Sequence, residues 1–235
     1  MTEIERRIEV PATQVEPDYA GMEISEQRRD RGFHRNFVGG QWDEMGQLQL
    51  DFLVSQGLKP EHLFLDVGCG ALRAGRLLSD YLEPAHYYGV DANNDVIVTG
   101  YDRELTDEQR TRLPVSNLRS TDRFDCDFGV KFDMAIAQSV FTHIHLNLMR
   151  LCLHRVAKVM KPGGQFFVTF FERRPTFELD RVQPGSLQFT ERNRFWYYRR
   201  DMRWVAKNMP WEFTYIGDWN HPRSQKMVQY TRVED

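Results

Sequence analysis

With 235 residues, 41% hydrophobic and 28% charged, the chain is long enough for one domain with a sizeable core and has the balance of a globular protein. A formal net charge of -3 without a long basic block argues against a whole-surface nucleic-acid binder, leaving only a local patch open. Cys69, Cys126 and Cys152 are odd in number and share no CxxC or zinc spacing, which argues against a disulfide framework. The first residues lack the apolar core of a signal peptide and nothing approaches membrane-spanning length, so the expectation is a cytoplasmic protein.

In chain order, residues 1–38 read as a polar arm, partly helical or flexible, with a short helix through "ISEQRRDRGFHR". A domain over residues 39–235 follows. Its first helix carries Met45, Leu48, Phe52 and Leu53 at helical spacing and stops near Gly57 and Pro60. Short apolar runs then alternate with amphipathic ones: a strand at Leu63–Val67, a helix at Leu72–Leu82, a strand at Tyr87–Val90 and a helix from Asn94 to about Leu105. A weak strand follows around Val115–Ser120, then a clear one at Phe132–Ala137. A helix marked by Leu148, Cys152, Val156 and Val159 ends at "KPGG", before the buried strand "QFFVTFF". Strands separated by such helices imply parallel βαβ units, an α/β fold. "FTYIGDW" and "KMVQYTRV", joined by a short loop, suggest a hairpin on the sheet edge.

The first strand runs into Asp66-Val67-Gly68-Cys69-Gly70, and the second ends at Asp91, 23 residues after Gly68. Ligands of open parallel sheets bind at the carboxyl ends of strands, and an acid about 20 residues beyond a glycine turn is placed to hold ribose hydroxyls. A dinucleotide fingerprint needs a third glycine where this chain has Arg73, so the pyrophosphate cradle is broken. Asp66 suits a ligand with an ammonium group. Ribose, a cationic amino-acid tail and no phosphate together describe S-adenosylmethionine.

"LDVGCG", "YYGVDANN", "FDMAIAQSVFTH" and "MKPGGQFFVTF" resemble the successive motifs of class I S-adenosylmethionine-dependent methyltransferases over roughly residues 40–230. The resemblance implies a Rossmann-like, mostly parallel seven-stranded sheet with a C-terminal antiparallel hairpin and helices on both faces. It implies that Asp66, Gly68, Gly70 and Arg73 meet the methionine end of the cofactor, Arg73 at its carboxylate. Asp91 and Ala92 would take the ribose, Asp122 and Phe124 would lie near adenine, and Gln138 would face the sulfonium. Gly40 and Trp42 of "GGQW" would close over the cofactor.

Methyl transfer from a sulfonium is an in-line displacement, so alignment supplies much of the acceleration and a hydroxyl acceptor needs a base. His143 is the first choice, with His145 behind it and Glu172 at the end of the fifth strand. His143, Glu172, Asp218 and His221 also suggest a site for Mg2+ or Mn2+. Residues 173–210, rich in arginine and aromatics, read as an acceptor-binding insertion in which Trp196, Tyr197 and Tyr198, with His221, contact the substrate; a helix packed onto the sheet through Trp196, Met202 and Trp204 is the alternative. The favoured acceptor is a small polar molecule such as a saccharide, from a faint resemblance to bacterial sugar O-methyltransferases of polysaccharide biosynthesis, acting in a possible homodimer. RNA or amine N-methylation, an NAD-dependent oxidoreductase and a non-catalytic cofactor-binding module are the competing readings.

Overall fold

The computed structural model describes residues 21, 23–37, 39–173 and 194–234. The chain forms α1 (Glu26–Asp30), α2 (Phe33–Phe37), α3 (Trp42–Ser55), β1 (Phe64–Val67), α4 (Gly75–Tyr81), β2 (Tyr87–Asp91), α5 (Asn94–Glu104), α6 (Asp107–Arg112) and β3 (Leu118–Ser120). It continues with β4 (Phe132–Ala137), α7 (Leu146–Val159), β5 (Met160–Glu172), β6 (Trp196–Tyr197), α8 (Arg199–Trp204), β7 (Trp211–Gly217) and β8 (Lys226–Arg232).

The main sheet runs β3-β2-β1-β4-β5-β8-β7. β1 to β5 pair in parallel, and β8 runs antiparallel to both β5 and β7. The expected seven strands and terminal hairpin are therefore present, with one addition: two-residue β6 pairs in parallel with the end of β5 off the main path. Every residue of β1 is buried, as a strand covered on both faces must be. Leu65, Ala135, Phe166 and Val168 pack one face with Cys152 and Val156 of α7. Phe64, Met134, Ile136 and Phe167 pack the other with Met45 and Leu53 of α3 and Leu78 of α4. Strand order reverses between β1 and β4, which makes the carboxyl ends of those strands the crevice where α/β sheets bind ligands.

Three local expectations are corrected. The helix expected from Leu72 begins at Gly75, because residues 71–74 are turns and Leu72 has φ 62°. "KPGG" lies inside β5, whose pairing with β4 shifts register between Phe132 and Met134. The arm is helical where expected, as two short helices, and its described part is docked: α1 and α2 sit on α5. His34 Nε2 and Arg35 Nε meet Glu104 Oε1 at 2.5 and 2.7 Å, and Arg103 pairs with Glu26 at 2.6 Å. Ile24, 2% exposed, packs with Trp42, Ala71 and Val96. No described helix is long and apolar enough to cross a membrane.

Candidate functional site

Gly68 and Gly70 end β1 with φ of 80° and 54°, left-handed values that a side chain resists. A Cβ on Gly68 would lie 2.3 Å from Val140 Cγ2 of the loop after β4, so this glycine lets that loop cross the end of β1. The close helix packing that a third fingerprint glycine would have provided comes from elsewhere. Gly100 of α5 sits so near the turn that its Cβ would fall 2.4 Å from the Ala71 backbone.

Asp66 is buried and accepts the Tyr87 hydroxyl at 2.8 Å. Burial pushes its carboxyl up to about 7, with the Tyr87 hydrogen bond and Arg73 opposing and Asp91 adding to the rise. An ammonium group beside it would reverse that balance by favouring the carboxylate. Asp91 ends β2 and accepts backbone N–H groups from Gly70 and Asn93, each at 2.9 Å. Burial raises its pKa against those amides. The Asp91 carboxylate is thus fixed in place by the turn that follows β1. Ala92 offers its carbonyl to Ser120 Oγ at 3.3 Å, and Asn93 caps α5 by accepting Val96 N–H at 3.0 Å.

Arg73 spans the switch point. Its guanidinium donates to Gln138 Oε1 at 2.7 Å and to Gly40 O at 3.1 Å. Burial brings its pKa down to about 10, with Asp66 opposing and Arg223 adding to the drop. Beyond Gln138 a polar network closes the carboxyl edge of β4 and β5. Gln138 Nε2 donates to Ser139 Oγ at 2.7 Å and lies 3.2 Å from His221 Nε2. Ser139 N–H donates to Thr169 Oγ1 and that hydroxyl donates to Gln225 Oε1, both at 2.7 Å. Gln225 Nε2 returns to Ser139 Oγ at 2.8 Å. Ser139 itself holds φ 61°, a strained value of the kind that clusters at working sites. Ser139, Thr169, Arg223 and Gln225 had escaped sequence reasoning. The "HPRSQ" of the hairpin loop carried the signal for the last two, since charged and amide side chains crowded into so short a loop at that edge of the sheet have the cleft to face.

Other candidates are placed differently. Trp42, 7% exposed, does not lie open as a cover; it packs with Ile24, Ala71 and Val96, with Arg35 5.3 Å above its ring. Phe124 has φ 59° and is buried in the core on the α7 side, while Asp122 is exposed. A ring spent on the core is not free to stack on adenine. His143 is half-buried in the loop after β4, and His145 is exposed as the residue that caps α7.

The expected metal set is corrected, because the structure does not bring the four residues together. Glu172 accepts Tyr215 OH at 2.6 Å and pairs with Arg199 at 3.3 Å. Asp218 is bound to Lys226, and His221 to Arg223 N–H and Gln138. Among the described residues, no three His, Cys, Asp or Glu side chains converge. The glutamate is on the α7 side of β5, in register with Phe170 and Val168, whereas Thr169 of the polar network faces the other way.

The proposed stacking platform also divides. Trp196 stacks on Phe171 at 4.8 Å, Tyr197 OH donates to Ile144 O at 2.8 Å, and Tyr198 caps α8 with Arg200 4.7 Å from its ring. Tyr197 therefore braces β6 against the loop after β4. Residues 174–193 of the expected insertion lie outside the described residues. The three cysteines are free and buried, and burial raises each thiol, so none is poised as a nucleophile.

Residues 65–166 match the family described as "Methyltransferase domain". Among solved structures, CalS10, an amino pentose methyltransferase from Micromonospora echinaspora with bound S-adenosylmethionine, superposes with TM-score 0.62 at 15% identity, over 90% of this chain and 99% of that one. A S-adenosylmethionine-dependent methyltransferase from Clostridium acetobutylicum does so with TM-score 0.62 at 12% identity, over 89% and 99%. The magnesium protoporphyrin IX methyltransferase of Synechocystis with bound S-adenosylhomocysteine gives 0.59 at 16%, over 87% and 95%. Residues 65–166 thus match a methyltransferase domain, and the described chain shares the fold of S-adenosylmethionine-dependent methyltransferases.

Proposed function

We propose that this enzyme methylates an oxygen of a small polar acceptor in the cytoplasm, with a saccharide hydroxyl as the favoured target. The observation that carries the reading is the switch point: Asp66, Asp91 and Gln138 at the ends of three strands and Arg73 in the turn after β1 gather at one carboxyl edge of the sheet, with Arg73 bonded to Gln138 and the Gly70 turn bonded to Asp91. Asp66 and Arg73 are suited to the ammonium and carboxylate of the methionine tail, and Asp91 to the ribose. Gln138 stands where β4 ends, facing the reacting sulfur. The acceptor enters from the loop after β4, β6 and the β7–β8 loop, where His143 serves as general base without a metal. CalS10, which shares the fold, is an amino pentose methyltransferase, and that lends support to a sugar. A homodimer belongs to the same proposal.

A second reading has one observation behind it. Arg199, Arg200 and Arg203 of α8 stack on Tyr215, Tyr198 and Phe213, an arginine-aromatic surface that RNA uses. Transfer of labelled methyl from S-adenosylmethionine to saccharides, phenols, amines and RNA, with and without chelator, separates the readings. Label on a saccharide, unaffected by chelation, is expected. Label confined to RNA, with steep salt dependence, or to an amine overturns the acceptor assignment.

A further inference from the structure

The ring of His221 has hydrogen-bond donors on both sides. Nδ1 accepts the backbone N–H of Arg223 at 3.1 Å, which places the ring's own proton on Nε2. Nε2 in turn lies 3.2 Å from the amide nitrogen of Gln138. That amide cannot turn over to offer its oxygen. Its Oε1 receives an N–H from Arg73 at 2.7 Å, and a guanidinium has no lone pair to exchange; its nitrogen already donates to Ser139 Oγ at 2.7 Å. Two N–H groups therefore face each other across 3.2 Å in a buried place, where an unmatched donor costs about 1–3 kcal/mol.

The charged groups that bear on the ring are both cations, Arg73 from the turn after β1 and Arg223 from its own loop, and they join burial in bringing its pKa down to about 4. Tilted against it at 5.3 Å is Trp219, which is neutral. The Arg223 guanidinium reaches Gly39 O at 2.6 Å, so it closes the same corner. What would satisfy this corner is an oxygen that accepts from several donors at once and carries negative charge.

We propose that His221 and Arg223, with the Gln138 amide, form a donor cage for a carboxylate carried by the methyl acceptor. The inference deepens the methyltransferase reading and rests on it for the word acceptor. His221 and Arg223 come from the β7–β8 loop, on the side of the crevice away from the Asp91 ribose position, whereas Arg73 comes from the cofactor turn. On entry, a carboxylate oxygen accepts the Nε2–H of His221 and one N–H of Gln138, and removes the donor-donor contact. His221 acts as a neutral donor here, leaving the base role to another group. An acidic sugar is the member of the proposed acceptor class that fits.

The test uses the intact protein labelled with 15N-histidine, with His221 assigned by the signal lost in His221→Asn. The free protein is expected to show His221 as the neutral Nε2–H tautomer down to about pH 5. Addition of S-adenosylhomocysteine is expected to leave that N–H nearly in place. Glucuronate added to this complex should then shift it saturably, glucose should not, and Arg223→Gln should weaken glucuronate about tenfold. A Nδ1–H tautomer, or no response to glucuronate, overturns the cage. A full shift with S-adenosylhomocysteine alone, absent with methylthioadenosine, which lacks the aminocarboxylate tail, gives the cage to the cofactor and overturns the acceptor assignment. Failure to bind S-adenosylhomocysteine at all strikes the cofactor reading instead, and the glucuronate titration of the free protein still decides the cage.

Discussion

Gly100→Ala sets two known effects against each other. Gly100 is in the interior of α5, where alanine is favoured over glycine by about 1 kcal/mol. Taken alone, that term makes the variant more stable. The new Cβ, however, would lie 2.4 Å from the carbonyl carbon and oxygen of Ala71 and 2.7 Å from its Cα. These are backbone atoms of the turn between Gly70 and Leu72, which cannot rotate aside as a side chain tip would. Forcing a methyl group into such a contact costs about 1–3 kcal/mol, with backbone displacement. The steric term therefore wins, and the expected net change is a loss of about 1–2 kcal/mol in urea unfolding. Displacement of Ala71 also moves Gly70, whose N–H holds Asp91, so S-adenosylhomocysteine affinity should fall several-fold by calorimetry. Val98→Ala, on the exposed face of the same helix, isolates the propensity term and should be neutral or slightly stabilising. If Gly100→Ala proves as stable as the parent and binds as tightly, the claim that α5 rests directly on the cofactor turn is refuted.

Gly68→Ala should lose about 2–4 kcal/mol, from left-handed strain and the 2.3 Å approach to Val140. Adding Val140→Ala should restore the steric part only, and strictly additive losses in the double variant would sink the contact. Asp66, raised to about 7 when folded against about 4 unfolded, contributes stability that is fully present below about pH 4 and is lost as pH rises through 7. Unfolding free energy should thus fall across that window by a few kcal/mol, and in Asp66→Asn this component should vanish. S-adenosylhomocysteine, whose ammonium favours the carboxylate, should bind more tightly as pH rises through the same range; a pH-independent affinity contradicts the Asp66 assignment. Glu104→Gln weakens the ion pairs to His34 and Arg35, and protease cleavage within residues 23–37 should quicken at least several-fold while core unfolding changes little.

Much of this fold was legible because its strands are buried on both faces and read as unbroken apolar runs. Phe132–Ala137 was placed to the residue, and the terminal hairpin to within a few. The misses share a physical cause. The helix start at Gly75, rather than Leu72, depends on a left-handed turn at Leu72, a residue with no local preference for that conformation. The docked arm depends on Glu104, about 70 residues from His34 and Arg35, and no window along the chain contains both partners. That Asp66, Asp91, Arg73 and Gln138 would gather at one edge was legible because strand ends converge by topology alone. The metal set failed for the opposite reason: four residues near the right edge say nothing of which face of β5 each occupies, and Glu172 points away from Thr169. Phe124 shows a limit of the sequence, since an aromatic after a strand looks the same whether it stacks on a base or fills a core.

The polar closure of this cleft has a consequence for how ligands enter. Arg73, Gln138, Ser139, Thr169 and Gln225 join β1, β4, β5 and the hairpin loop by hydrogen bonds where apolar packing would also have sealed the edge. An apolar seal must be parted to admit a ligand, and the exposed surface is lost stabilisation until something covers it. A hydrogen bond can instead be exchanged: were Arg73 to leave the Gly40 carbonyl for a ligand carboxylate, the net change would be the small difference between two satisfied states. The same logic makes the Gln138–His221 contact the weak point of the network, since it is the one place where exchange replaces a mismatch with a bond. Ligand entry should therefore begin there, where the bonds to Arg73 and Ser139 Oγ hold the Gln138 side chain.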